Sequence, residues 1–387
     1  MQSHLAQPTR FWILFAVLLT IPLPGVTAAE SPDESSHVTT LIKTIQSVDR
    51  QGNDHTEARH ALRTLEAADV SALPEIIKAF DNVGPLAANW LRNSFETIAD
   101  RAVQANVELP SLALETLVRD TSRNPRARRL AYEWLLKSDP QLPDRLLSQF
   151  LEDPSPVFRR DAVARLLRHA KTLTDAENSV QAKTIYQQAL GGAVDNDQVT
   201  EIVSALEKLG ETVNLQRHLG YLSGWHLIGP FDNREMKGFD IIYPPETTID
   251  YKGSLDGQLG TVQWQFLSTD DDYGLINIAE TIENYKGSVM YAHTEFMSEK
   301  NQNIELRLGT PNAWKLWIND KLLFAREEYH RGTRMDQFRV PAELQPGKNT
   351  ILLKVLQNEQ TQNWAQRYQF QLRVCDLVGN AVLSDSP

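Results

Sequence analysis

Two stretches in the C-terminal third carry the side chains best suited to holding a ligand. AREEYHRGTRMD (residues 325–336) offers Tyr329, His330, Arg331 and Arg334, and NEQTQNWAQR (residues 358–367) offers Gln360, Asn363, Trp364 and Arg367. Rings that can stack on an apolar face, next to amides and guanidinium groups that exchange hydrogen bonds with hydroxyls, form a set that suits a sugar. The competing reading is structural: Tyr329 and Trp364 plug the end of a core. Asp270, Asp271 and Asp272 in STDDDYG could bring carboxylate oxygens to calcium, with Asp270 and Asp272 as the ligand pair. Three consecutive acids cannot all face one ion, and the alternative is a solvated loop. His55 and His60 in HTEARH are five residues apart, which sets them ~140° apart on a helix, so they do not share a face as a zinc pair would. No GxSxG, GxxxxGK[ST] or GxGxxG occurs, and no catalytic residue is assigned. The chemistry legible here is binding without catalysis, needing no cofactor unless calcium is one.

Composition narrows the partners. The chain has 387 residues, long enough for two or three domains, and its 41% hydrophobic and 23% charged content is that of a globular protein. Arg10 precedes FWILFAVLLTIPLPG and then VTAAE, the pattern of a secretory signal peptide over residues 1–29, with an apolar run of ~12 residues against the ~20 needed to span a bilayer. Export to a periplasm, the extracellular space or the cell surface is therefore expected, with no membrane span in the mature chain. The formal charge of −11 becomes one unit more negative when Arg10 is removed, which disfavours nucleic acid as a partner. Cys375 is the single cysteine, so no internal disulfide can form. It sits in QFQLRVCDL, where a buried, inert thiol is expected.

After a polar segment read as disordered (30–37), residues 38–218 show apolar positions at helical spacing, broken at Pro74, Pro85, Pro110, Pro125, Pro143, Pro154 and Pro156. RNPRARRLAYEWLL (123–136) aligns with DPSPVFRRDAVARLL (153–167), so that Arg128-Arg129 matches Arg159-Arg160 at an offset of 31. Over residues 71–170 these segments resemble the HEAT family of helical repeats, which implies a short array of antiparallel helices and a surface for a protein partner.

From residue 219 to 387 the period falls to two. Candidate strands are WHLIGPF, VQWQFL, GSVMYAHTEF, NIELRLG, WKLWIN, LLFARE, DQFRVPA, NTILLKVLQ and YQFQLRVCDL, a set that predicts an antiparallel β-sandwich. No flexible linker precedes it, so the two domains are expected to pack together. The order WINDK hairpin, loop, DQFRV, LQPGKN and alternating strand, over residues 288–379, resembles the galactose-binding-domain-like jelly roll, in particular the sugar-binding domain of β-galactosidases and β-glucuronidases. Asp320 stands where that family prefers Gly. The resemblance implies the jelly-roll fold and leaves the ligand open. The expectation is an exported binding or scaffold protein that holds carbohydrate or another surface polymer through the sandwich. The alternative is an adaptor that binds protein along its helices, with the sandwich structural.

Overall fold

The computed structural model describes residues 32–48 and 54–385; the expected signal peptide lies outside them. Among the described residues the helices are α1 Pro32–Gln46, α2 His55–Glu66, α3 Leu73–Lys78, α4 Pro85–Gln104, α5 Ser111–Arg119, α6 Pro125–Ser138, α7 Leu142–Leu146, α8 Pro156–Asp175, α9 Ser179–Gly192, α10 Asn196–Lys208 and α11 Leu215–Leu219. Prolines open α1, α4, α6 and α8, where a fixed φ suits the first turn and no intrahelical N–H is lost. Helix α1 accordingly starts inside residues 30–37, which the polar composition had suggested were irregular.

The chain divides into two compact units between Leu117 and Val118. In the first, Val38, Ile42 and Ile45 form the buried stripe of α1, and α2 packs against it with Ala58, Ala61 and Leu65. His55 does not pair with His60; its ring meets Trp90 edge-on at 5.3 Å.

The second unit holds α6 to α11 and all the strands: β1 Gly224–Asp232, β2 Ser254–Gly257, β3 Gly260–Gln263, β4 Gln265–Ser268, β5 Ile276–Asn277, β6 Ser288–Ser298, β7 Gln302–Gly309, β8 Ala313–Ile318, β9 Lys321–Arg326, β10 Phe338–Leu344, β11 Gly347–Gln357 and β12 Gln369–Cys375. A six-stranded sheet runs β4-β1-β6-β11-β8-β9, a four-stranded sheet runs β10-β7-β12-β5, and every pairing is antiparallel. Their facing sides make one core, with Trp225, Met290, Trp314, Ile351, Leu353 and Val355 against Ile304, Leu306, Leu308, Phe370, Leu372 and Val374. Helices followed by an antiparallel sandwich is the layout the change of period predicted. Tyr221, Tyr273 and Met335 pack into the apolar cluster of α8 to α11, and Gln216 donates to the carbonyls of Thr269 (2.9 Å) and Asp271 (2.6 Å). These contacts fasten the last helices to the sheets within one unit.

The WINDK hairpin is a two-residue turn with both central residues at positive φ, Asn319 (48°) and Asp320 (62°), which is the twist that adjacent antiparallel strands require. LQPGKN is organised by buried Asn349, whose Nδ2 donates to the Gln345 carbonyl at 2.8 Å, while its Oδ1 accepts from the Gln345 N–H at 2.9 Å. VQWQFL divides into β3 and β4 because Trp264, between them, packs against Tyr251 (5.7 Å) and His293 (6.3 Å). The sequence reading did not foresee a second apolar layer. Residues 233–264 lie over the outer face of the six-stranded sheet, covering Ile228, Val289, Tyr291, Trp317 and Leu352 with Phe239, Tyr243, Ile249 and Leu255. No helix among the described residues is long and apolar enough to cross a membrane.

Candidate functional site

The loop after β9 (residues 327–337) and the loop after β11 (residues 358–368) meet at one end of the sandwich. Asp336 anchors the first. It accepts from Arg373 Nε (2.6 Å) and Nη2 (2.7 Å) on β12 and from Arg307 Nη1 (2.6 Å) on β7. Burial opposes its ionisation, but the hydrogen bonds and charges of Arg373 and Arg307 outweigh it and hold the carboxyl below its ordinary value of 3.8. A depressed folded pKa stabilises above the unfolded value and is lost as pH falls through the folded one. Thermal melts should therefore show Asp336→Asn losing stability at pH 7, with the gap to wild type closing below about pH 4. A gap that stays constant across that range would mean that the carboxylate does not carry the anchor.

Between the anchored ends, the structure brings four of the candidate residues together. His330 sits at φ 60° and its Nε2 lies 2.7 Å from Asn358 Oδ1, an acceptor, so this ring nitrogen carries the proton. Asn358 Nδ2 in turn donates to Gln360 Oε1 at 3.0 Å. The Trp364 ring meets His330 edge-on, 5.0 Å between centroids at 88°, and the residue remains 60% exposed. Tyr329 is half-buried, packed at the margin of the outer apolar layer, and its hydroxyl accepts from Asn233 Nδ2 at 3.2 Å. Burial pushes that phenol up, so it stays protonated. Tyr329 thus supports the cluster, and Trp364 is the ring presented to solvent.

The other candidates lie outside this cluster. Arg331 is ion-paired with Glu328, as is Arg326, whose Nε is 2.5 Å from the carboxylate. Arg331 and Arg334 line a neighbouring groove of about 470 Å³ together with Thr333 and Phe338. Asn363 is exposed at the start of the turn Asn363–Ala365. The Arg367 side chain is exposed, and its carbonyl accepts from Asn312 and Gln357, both at 3.2 Å. The acidic triplet is not gathered around an ion position: Asp271 Oδ1 accepts from the N–H groups of Tyr273 (2.9 Å) and Leu275 (3.1 Å), and Asp270 and Asp272 are exposed. No group of three or more His, Cys, Asp or Glu side chains suited to a metal occurs among the described residues. Cys375 is buried, and burial pushes its thiol up to about 11.

Sequence reasoning missed Asn358, which orients both His330 and Gln360. Its one signal is its position, immediately after the alternating strand, where a polar side chain can turn back over the sheet end. Amides and an imidazole that alternate donor and acceptor beside an open indole can bind a polyhydroxylated ring. The cluster pairs no nucleophile with a base.

Neither a protein-family model nor a curated protein matches the chain. Among solved structures, a selenomethionine-labelled β-glucosidase from Kluyveromyces marxianus aligns with a TM-score of 0.26 at 8% identity, over 80% of this chain and 38% of that chain. The β-glucosidase from the same organism in complex with glucose gives 0.27 and 9% over the same shares. An alkylpurine DNA glycosylase from Pseudomonas fluorescens, bound to DNA containing an abasic site analogue, gives 0.19 and 11% over 90% of this chain and 95% of that chain. This chain spans little more than a third of the β-glucosidase, and at these TM-scores none of the likenesses carries an argument.

Proposed function

We propose that the chain is an exported, non-catalytic binding or scaffold protein that holds carbohydrate, or another surface polymer, at the loop end of its β-sandwich. In this reading the helices form a HEAT-like array and the sandwich is a galactose-binding-like jelly roll. The observation that carries the proposal is Trp364. It is 60% exposed, and its indole is held edge-on by His330 beside a chain of planar polar groups, which is the combination that a stacking sugar ring needs. Free sugar rings stack on such a surface, and a polymer can extend past it toward the groove lined by Arg331 and Arg334.

Trp364→Ala should leave the thermal midpoint near wild type, since little of the ring is buried, and should weaken retention on the preferred polysaccharide matrix about tenfold, the effect of losing ~1.4 kcal/mol of stacking. Tyr329→Ala should lower the midpoint as well, because it removes packing and leaves Asn233 without one acceptor. If no polysaccharide retains the wild-type chain while proteins from its native compartment do, the adaptor reading, with the helices as the binding surface, replaces this one.

A further inference from the structure

Strand alternation puts Tyr291, His293 and Glu295 of β6 on the outer face of the six-stranded sheet, and register places His293 opposite Leu352 of β11, which is itself opposite Trp317 of β8. Residues 245–251 stand over this region without filling it. They leave a cavity of about 430 Å³, within the ~300–1,000 Å³ range of small-molecule sites.

His293 is 2% exposed and lines the cavity. Its Nδ1 lies 2.5 Å from the Tyr251 hydroxyl, whose ring is stacked on His226 (4.0 Å, 24°) and met edge-on by Trp264. The imidazole is therefore locked in place, and Nε2 has no partner among the described residues. Burial pushes His293 down to about 4 and Tyr251 up to about 12, so both are neutral at pH 7. This nitrogen is not sealed in protein but open to the cavity that His293 lines. Here the available partner is whatever occupies the cavity.

The charges on the wall define that occupant. Glu246, Glu295 and Asp320 contribute carboxylates. Lys348, the one basic side chain on the wall, is 3.0 Å from Glu295, and Glu246 is 2.8 Å from buried Lys354, so both cations are already neutralised. Asp320 is exposed at its turn and makes no ion pair among the described residues. An acceptor-rich wall with a surplus negative charge rejects phosphates and carboxylates and favours a molecule rich in O–H or N–H donors. Trp317 and Leu352 supply the apolar wall that a sugar's C–H face requires.

We infer that this cavity is a second binding site, for a small polyhydroxylated molecule of monosaccharide size, neutral or carrying an amine, held by His293 Nε2 and the Asp320 carboxylate against Trp317. It shares none of these residues with the loop-end cluster and does not rest on the reading given for that cluster.

The test is isothermal titration of the full mature chain, wild type and Trp364→Ala, with glucose, glucosamine and glucose 6-phosphate at millimolar concentrations. Saturable binding of glucosamine or glucose that survives Trp364→Ala, with glucose 6-phosphate inert, is the expected result. Asp320→Asn keeps a residue that tolerates positive φ and should weaken glucosamine about fivefold, the size of a part-exposed ion pair, and glucose by a smaller factor, since a neutral hydroxyl loses only a charge-assisted hydrogen bond. His293→Leu should weaken both about tenfold in a chain whose circular dichroism matches wild type. No saturable binding by any of the three, binding of the phosphate as tight as that of the neutral sugar, or binding abolished by Trp364→Ala and untouched by Asp320→Asn and His293→Leu would each overturn the assignment.

Discussion

Arg128→Ala is expected to cost about 3–5 kcal/mol of unfolding free energy, whereas Arg159→Leu, at the matching position of the repeated segment, should cost no more than about 1 kcal/mol. The two arginines look alike in sequence and in burial, 1% and 2% exposed. Each donates Nε to a carbonyl of the preceding segment, Arg128 to Val118 and Arg159 to Leu151, both at 2.8 Å. They differ in what stands opposite. Arg128 forms a two-pronged pair with Asp153, Nη1 to Oδ1 at 3.0 Å and Nη2 to Oδ2 at 2.6 Å, beneath the Phe158 ring. Asp153 is itself buried, so removing Arg128 strands a carboxylate out of water. Arg159 makes no ion pair among the described residues, its Nη1 is buried without a partner, and burial pushes its pKa down. Removing it takes away a buried charge that no ion pair holds, although Asp376 and Glu152 favour it from a distance, at the expense of one hydrogen bond. Urea midpoints at constant m-value would separate the two. Equal losses would mean that the guanidinium stems, and not the Asp153 pair, carry the stability.

The repeat also shows where legibility in the sequence stops. Aligning Arg128-Arg129 with Arg159-Arg160 located two equivalent helices, and the second arginine of each pair does reach an acid farther along, Arg129 to Asp161 and Arg160 to Asp197. That one of the first arginines is paired and the other is not depends on Asp153, whose role no local pattern announces. In the β half, alternation located the strands of both sheets except β5, whose two residues are too short to show a period, because one face of each is core, and Ile351, Leu353 and Val355 read directly as that face. ILLKVL carries apolar residues on both faces, and Leu352 and Leu356 are buried on the outer side, which is the mark of a strand covered twice. The covering residues, Phe239, Tyr243 and Ile249, follow neither period, since they are held by packing on the sheet and not by a ladder of their own. The chemistry-bearing loops were legible by residue type. Their assembly through Asn358, and the meeting of Tyr251 with His293 across 42 residues, were not, because each is a tertiary contact without a spacing rule.

The cover depends on one buried charge, so the second large effect is expected at Lys354. This side chain rises from β11 on the outer face, is 0% exposed, and spends its three N–H groups on Glu246 Oε1 (2.8 Å), the Ile241 carbonyl (2.7 Å) and the Phe239 carbonyl (3.2 Å). Tyr291 donates its hydroxyl to the same Glu246 oxygen, and burial followed by that carboxylate pushes the phenol strongly up, so it remains a donor. Burial pushes Lys354 below its ordinary value, while Glu246 favours its charged form. Lys354→Ala would leave a largely desolvated carboxylate and two carbonyls without donors, on the order of 3–5 kcal/mol. Lys354→Met combined with Glu246→Gln removes both charges, retains a side chain that Tyr291 can bond, and should recover more than ~1 kcal/mol of that loss, a coupling that neither single change reports. The loss should also be local. Hydrogen exchange ought to accelerate over residues 239–251 in Lys354→Ala while β6 and β11 keep their protection, since the sandwich core on the other face of the sheet is untouched. The roof over His293 is part of that same segment, so any ligand seated there should slow the exchange again in wild type and fail to do so in the variant. Unchanged exchange over residues 239–251 in Lys354→Ala would show that the apolar layer holds the cover without its charge.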